Sequence, residues 1–219
     1  SSAASDVYKR QEILQPDTFY IYNRANGNEV LFKSDENYLF FLKQYKAYIS
    51  PICNTYCYCL MPNHFHFLVE IKSEKELQLF FNQKTSSSIT LLGNQDLQGF
   101  KNLEGFISQQ FSNFFNCYVK AFNKQHNRKG SLLMHPFKRK RITDTAYLLK
   151  LVKYIHYNPI EVKLSTQLNE WKFSSYASLV SKTPTLLKRD DLLAWYDDLA
   201  NFEFVHKTAP TDSSYNIEE

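Results

Sequence analysis

Two consecutive extended segments, separated by a two-residue turn, constrain the fold of this chain most strongly. Residues 52–61 and 64–71 are rich in aromatic, aliphatic and cysteine side chains, and the turn between them is Pro62-Asn63. Runs of this composition on either side of so short a turn are typical of an antiparallel β-hairpin. We therefore expect a hairpin in the first third of the chain, with alternate side chains of each strand on opposite faces.

The remaining apolar pattern predicts further strands and helices around this hairpin. In chain order these are a strand over 18–24, a helix that Asp35 caps, a short helix near 74–83, a long helix over 103–124, a basic strand within 135–143, and a helix over 146–157 that Thr143 or Asp144 caps and Pro159 ends. Helices and antiparallel strands in this order predict an α+β domain with helices packed on one sheet.

Charge divides the chain into a basic body and an acidic end. Residues 181–219 carry four basic and eight acidic side chains, a net charge of −4. Since the whole chain has a net charge of +4, the first 180 residues carry +8. We interpret 1–16 as a flexible leader, 17–180 as one domain and 181–219 as an acidic C-terminal extension. A basic body suits a polyanionic partner, although a solvated basic surface gives the same charge.

Several classes of protein are disfavoured by what the sequence lacks. No apolar run reaches the ~20 residues that span a membrane, and the first residues lack the hydrophobic stretch of a signal peptide. The four cysteines form no CxxC pair, which favours buried free thiols in a reducing compartment over disulfides or a zinc site. We therefore expect a cytoplasmic protein without a membrane partner.

His64 and His66 lie two residues apart on the second strand of the hairpin. This spacing puts both imidazoles on one face, whereas Phe65 and Phe67 lie on the other. Neutral imidazoles are good ligands for divalent metals. Two unrelated half-buried histidines would show the same spacing, so the pair alone leaves both interpretations open.

The last predicted core helix carries a second group of candidate residues. Its apolar stripe consists of Leu148, Leu151, Val152 and Ile155. At 100° per residue, Tyr154 and Asn158 lie about 40° apart on the flank of this stripe. Tyr157 should face solvent, and His156 belongs to another face as a surface or packing residue. A tyrosine at the boundary of a core would occupy the position of Tyr154 equally well.

Residues 124–141 contain seven basic side chains and no acidic one: Lys124, Arg128, Lys129, Lys138, Arg139, Lys140 and Arg141. Lysine and arginine supply most non-specific affinity for nucleic acids, and the interleaved Phe122 and Phe137 have rings that can stack on bases. A solvated basic face is the alternative. Along residues 138–141 only alternate side chains share a face, so not all four can contact one strand of nucleic acid.

Together these segments resemble the single-tyrosine HUH transposases, and in particular the REP-associated tyrosine transposases. The resemblance covers about residues 17–180 and rests on five motifs in order: Tyr22-Asn23-Arg24, MPNHFHFL at 61–68, RKGSL at 128–132 leading to Phe137-Lys138-Arg139, KYIHYNP at 153–159, and WKFSSY at 171–176. This chain has Tyr20-Ile21 where that family often has a histidine, which bears on DNA contacts.

The resemblance implies a ferredoxin-like or RRM-like sheet, and a protein that cleaves and rejoins single-stranded DNA beside a hairpin through a 5′-phosphotyrosine. It implies Tyr154 as the nucleophile, with His64, His66 and Asn158 as ligands of Mg²⁺ or Mn²⁺. Two imidazoles are softer ligands than magnesium prefers. Arg24 and the basic segment would contact DNA.

The resemblance further implies a bacterial, nucleoid-associated protein that is a monomer or a homodimer. Two alternatives stay open: a domesticated, non-mobile DNA-processing protein with the same chemistry, and an RRM-like module that only binds nucleic acid. A zinc hydrolase is disfavoured because the chain has no HExxH motif.

Overall fold

The computed structural model describes residues 17–88 and 103–210 of the chain. Its elements are β1 (Thr18–Arg24), α1 (Asp35–Tyr48), β2 (Cys53–Met61), β3 (His64–Ile71), α2 (Glu74–Ser88), α3 (Leu103–Gln125), β4 (Lys138–Arg141), α4 (Thr145–Glu161), α5 (Tyr176–Val180), α6 (Arg189–Ala194) and α7 (Leu199–His206). The predicted leader, 1–16, and the end of the predicted acidic extension, 211–219, lie outside the described residues.

The four strands form one antiparallel sheet in the order β2-β3-β1-β4. The predicted hairpin is confirmed as β2 and β3, and the α+β fold class is confirmed with it. Among the described residues, no helix is long and apolar enough to cross a lipid bilayer.

Each face of the sheet buries its own hydrophobic core. Phe65 and Phe67 of β3 lie in the core beneath α1 and α3, where Phe41 of α1 and Phe115 of α3 contact Phe65. Leu68 points to the other face and packs with the apolar stripe of α4. The alternation predicted for β3 is therefore confirmed, because a strand covered by helices on both sides sends successive side chains into different cores.

The four cysteines are all free thiols, as the sequence predicts, and Cys53, Cys57 and Cys59 are buried in β2. Burial raises the pKa of all three thiols above the ordinary value of a cysteine. They therefore act as small apolar side chains of the sheet.

Helix α4 begins where the sequence predicts and ends later. Asp144 is the N-cap, and its carboxylate accepts a hydrogen bond from the backbone N–H of Tyr147 at 2.6 Å. The prediction that Pro159 ends the helix is wrong, because the helix continues through Glu161. Pro159 removes only the bond that would reach back to the carbonyl of Ile155, and the following turn still closes because the N–H of Val162 donates to the carbonyl of Asn158.

The WKFSSY segment, residues 171–176, covers the outer edge of β2. The backbone N–H of Leu60 donates to the carbonyl of Phe173, and the N–H of Ser175 donates to the carbonyl of Tyr58. The indole of Trp171 also donates to the carbonyl of Leu60, at 2.9 Å. These bonds occupy backbone groups that an edge strand would otherwise expose to other chains.

Helices α6 and α7 pack into the core that α4 forms with the sheet. Leu192, Phe202 and His206 are buried there, and Tyr196 donates a hydrogen bond from its hydroxyl to the carbonyl of Leu149. The prediction that Tyr157 faces solvent is wrong, because its half-buried hydroxyl donates to the carbonyl of His206 at 3.0 Å. The helical wheel of α4 alone could not reveal α7 as the cover.

A chain of hydrogen bonds runs through this packing and fixes the tautomers of two histidines. His206 donates from Nδ1 to the carbonyl of Phe202, so its Nε2 accepts from Nδ1 of His156 at 3.1 Å. Nε2 of His156 then accepts from the hydroxyl of Ser175, which itself accepts from the N–H of Tyr58. His156, predicted as a surface or packing residue, is fully buried.

Both histidines are neutral at pH 7, and this predicts a loss of stability in mild acid. Burial lowers the pKa of His206 to about 4 and that of His156 well below its ordinary value. In the unfolded chain both histidines bind protons near pH 6.5, whereas in the folded chain they do not. The free energy of unfolding is therefore highest above that pH and decreases as the pH falls below it. Urea unfolding should show roughly 1 to 2 kcal/mol lost per histidine between pH 7 and pH 5.

The matched variant for this measurement is His206→Gln, which keeps a polar side chain and removes one titrating group. Its free energy of unfolding at pH 7 should be lower than that of the wild type, but should fall less steeply as the pH is lowered. An equal slope in both proteins would show that His206 is not the source of the acid sensitivity.

Candidate active site

His64 and His66 lie on the face of β3 that α4 covers. Their ring centroids are 4.8 Å apart, and the two rings are nearly perpendicular. His66 is fully buried, whereas His64, next to the Pro62-Asn63 turn, is half-buried. The strand therefore holds one imidazole deep in the site and the other at its rim.

Each imidazole is oriented through its Nδ1 atom by a neighbouring oxygen. Nδ1 of His64 lies 2.7 Å from the side-chain oxygen of Asn63, which can only accept, so this nitrogen carries the proton. Nδ1 of His66 lies 2.6 Å from the hydroxyl of Tyr20 on β1. Such outer partners orient the rings of metal-binding histidines. In the sequence Tyr20 stands out only as a departure from the family pattern, and no local signal reveals its contact with His66.

The buried imidazole is held in its neutral form. Burial is the largest effect that keeps the pKa of His66 well below its ordinary value, and electrostatic interaction with the neighbouring His64 lowers it further. The proximity of Asn158 acts in the opposite direction and raises the pKa. A neutral imidazole is the form that offers a lone pair to a metal.

Helix α4 brings Tyr154 and Asn158 to the same place. The ring of Tyr154 stands edge-on to the ring of His66, with centroids 5.6 Å apart. Asn158 is buried, and its side-chain N–H donates to the carbonyl of Tyr154 at 3.0 Å. The amide of Asn158 also lies next to His66; because its nitrogen is hydrogen-bonded to Tyr154, its side-chain oxygen is the atom that could serve as a ligand.

The candidate ligands thus comprise two imidazoles and one amide oxygen. Within the two described ranges, no group of three or more histidine, cysteine, aspartate or glutamate side chains is arranged to hold a metal ion. An amide oxygen suits magnesium or manganese, and imidazoles suit manganese or zinc. The residues present are compatible with a divalent cation, and manganese matches both kinds of donor.

The register of the sheet continues this face on to β1 and β4. Tyr22 lies opposite His66 on one side and opposite Lys138 on the other, and Arg24 lies opposite His64. Side chains directly opposite each other across strands share a face. A row of aromatic and basic side chains therefore extends from the histidine pair to the edge of the sheet.

The basic strand β4 is split between the two faces, as its alternation predicts. Lys138 and Lys140 share the face of the histidines, because they lie opposite Tyr22 and Tyr20. Lys140 lies over the ring of Tyr147 on α4, at 4.5 Å from its centroid.

The two arginines of β4 point to the other face. Arg139 lies over the ring of Phe137, and Arg141 pairs with the carboxylate of Asp17. Only half of the strand's positive charge therefore borders the site.

The remaining basic residues lie beyond the end of the strands that carries His64. Arg128 forms an ion pair with Glu29 and donates to the carbonyl of Ser131, so its guanidinium binds within the protein. Lys124 on the last turn of α3 and Lys129 in the following loop are exposed. The structure does not bring these three residues into contact with the histidine pair.

A solved structure of a REP-associated tyrosine transposase bound to a REP hairpin has the same fold as this chain. The two share 15% of their residues with a TM-score of 0.51, over 80% of this chain and 87% of the other. No family model and no curated protein matches the sequence. A likeness at this identity establishes the fold, and the roles of individual residues depend on the geometry described above.

The contact between Tyr20 and His66 predicts a measurable stability loss when the hydroxyl is removed. Tyr20→Phe should lower the free energy of unfolding by about 1 to 3 kcal/mol, because Nδ1 of a buried histidine loses its partner. Urea unfolding of Tyr20→Phe, His66→Leu and the double variant would measure the coupling between the two residues. If the two losses simply add, the hydrogen bond does not contribute to stability.

Proposed function

We propose that this chain is a metal-dependent, single-tyrosine DNA strand transferase that cleaves and rejoins single-stranded DNA. The observation that carries the proposal is the meeting of Tyr154 with His66, His64 and Asn158 on one face of the sheet. A binding module has no need for a buried neutral imidazole beside a tyrosine on a packed helix. Perturbed titratable groups in such a cluster are more typical of catalytic sites.

In the proposed reaction, the phenolic oxygen of Tyr154 attacks the phosphorus of a phosphodiester. The bond from phosphorus to the 3′-oxygen breaks, the phenolic proton passes through solvent to that oxygen, and a 5′-phosphotyrosine and a free 3′-hydroxyl result. Because one phosphodiester replaces another, a second 3′-hydroxyl can attack the phosphotyrosine and join new ends. No nucleotide cofactor is required.

His64, His66 and Asn158 would hold the divalent cation. When bound, Mg²⁺ or Mn²⁺ would polarise the scissile phosphate and offset the charge that develops on its oxygens. The protein's own part is to hold the reacting groups in place: β3 positions the imidazoles, and α4 positions the phenol against them. Fixed orientation of this kind lowers the barrier of a displacement at phosphorus.

Single-stranded DNA beside a hairpin is the proposed substrate. The solved structure of similar fold is bound to a REP hairpin, and in this chain Arg24, Lys138 and Lys140 lie on the same face as the proposed nucleophile. Lys124, Arg128 and Lys129, beyond the end of the strands, would contact DNA further away, together with Arg139 and Arg141 of the opposite face. A soluble, nucleoid-associated protein acting as a monomer or homodimer fits this proposal.

The nucleophile is tested by removing one hydroxyl. Tyr154→Phe should bind DNA as the wild type does and lose cleavage by about a thousandfold or more, because the phenyl ring remains and the attacking oxygen does not. The substrate is a pool of labelled hairpins with single-stranded flanks of random sequence, in Mn²⁺. The readouts are strand cleavage and the covalent protein–DNA adduct.

Tyr157→Phe is the matched control, since its hydroxyl donates to the carbonyl of His206 on the other side of α4. It should cut and form the adduct. His64→Ala should behave like the wild type in a chelator, binding without cleavage. Cleavage by Tyr154→Phe would refute the assignment, and a wild type that binds the pool without cutting would identify the chain as a DNA-binding protein.

The division of β4 between two faces predicts different roles for adjacent cations. Lys138→Gln should weaken binding of a single-stranded oligonucleotide and reduce the slope of log affinity against log salt by about 0.7, because one phosphate contact is lost. Arg139→Gln removes the same charge from the opposite face and should change both quantities less. Fluorescence anisotropy over a salt series measures them; equal effects would contradict the proposed DNA path.

A further inference from the structure

We propose that Tyr22 and Lys138 form a nucleotide subsite beside the histidine pair, in which the ring of Tyr22 stacks on a base and Lys138 contacts its phosphate. This inference rests on the proposed function and specifies part of the path of the DNA. Nothing in the chemistry at Tyr154 requires Tyr22, so the subsite is a separate feature of this face.

The position of Tyr22 follows from the strand register. Tyr22 lies directly between His66 on β3 and Lys138 on β4. Directly opposite side chains have Cβ atoms about 5 Å apart. A nucleotide that contacts both Tyr22 and Lys138 therefore lies beside any phosphate held at His66.

The ring of Tyr22 is held in place by a second aromatic residue. It stacks on the ring of Tyr20, with centroids 4.6 Å apart and an angle of 19° between the planes. Tyr20 is itself fully buried and hydrogen-bonded to His66. Because the supporting ring is immobile, Tyr22 loses little conformational freedom when it stacks on a ligand, which favours binding.

Along this face of β1, the side chains become more exposed from Tyr20 towards Arg24, which lies opposite His64. Tyr20 is buried under α4, Tyr22 is half-buried, and Arg24 opposite His64 is exposed. Tyr22 thus stands where the cover of α4 ends and solvent begins. A tyrosine that served only to fill the core would be expected beneath the helix, at the position that Tyr20 occupies.

The charges around Tyr22 identify a polyanion with planar rings as the ligand. Lys138 is exposed on one side of Tyr22, and Arg24 is exposed at the next position of the same face along β1. Cations that track a backbone, combined with a ring that stacks on bases, are the features of single-strand binding sites. Stacking of this kind tolerates any base, so the subsite would position the strand rather than read its sequence.

The experiment measures whether the contribution of Tyr22 to binding affinity requires a base in the single-stranded tail. The probes are two hairpins with the same number of phosphates in a single-stranded tail, one tail of thymidines and one of abasic residues. Wild-type protein should bind the thymidine tail about 5- to 150-fold more tightly than the abasic tail. Tyr22→Ala should bind both tails with nearly equal affinity, and Tyr22→Phe should keep the preference because its ring remains.

Tyr58→Ala is the control for loss of a half-buried tyrosine ring. Tyr58 lies on the same sheet but contacts Phe67 in the opposite core, so this variant should keep the preference for bases. Thermal unfolding of each variant verifies that it folds. Lys138→Gln should weaken both tails alike, since it removes a phosphate contact.

A preference for bases that survives in Tyr22→Ala overturns the subsite. If that protein also forms the Tyr154 adduct, the proposed strand transferase stands while the subsite is wrong. If wild type binds neither tail, both proposals fail together. The combination of a wild-type preference for bases and its loss only in Tyr22→Ala supports the subsite.

Discussion

The candidate site depends on the packing of α4 against the sheet. Leu151, Val152 and Ile155 are fully buried against the side chains of β2 and β3 that share their face with His66. Burial of three such side chains contributes several kcal/mol and fixes the rotation of the helix about its axis. Because Tyr154 and Asn158 lie on the flank of this stripe, the same packing that stabilises the fold carries them to the histidines.

The site is supported from two sides. On the sheet, Tyr20 holds Nδ1 of His66, and on the outer side of α4 the chain of hydrogen bonds through His156 and His206 connects the helix to α7. Both supports are buried and uncharged at neutral pH. The proposed nucleophile therefore lies on an element that is clamped between the sheet and the C-terminal residues, and this rigidity suits a displacement that requires alignment.

The basic residues act at two levels that the sequence could not separate. Lys138 and Lys140 border the site, whereas Arg128, in the loop after α3, binds Glu29 in the segment between β1 and α1 and the carbonyl of Ser131. The main role of this guanidinium is therefore to stabilise the conformation of the loop after α3. Some of the basic side chains of residues 1–180 are thus available to a polyanionic partner, and others bind within the protein. A count of charges therefore indicates such a partner but does not locate where it binds.

Local patterns determined much of this protein. The alternation in 64–71 put His64 and His66 on one face, and the helical stripe put Tyr154 and Asn158 on one flank, because both periods are properties of the backbone. Only the tertiary structure decided that this flank of α4 packs against the face of β3 that carries the histidines. Tyr20 as the partner of His66, α7 as the cover of Tyr157 and His156, and the WKFSSY segment as the border of β2 arise from contacts between residues distant in sequence. Such contacts depend on strand order and register, which no local pattern encodes.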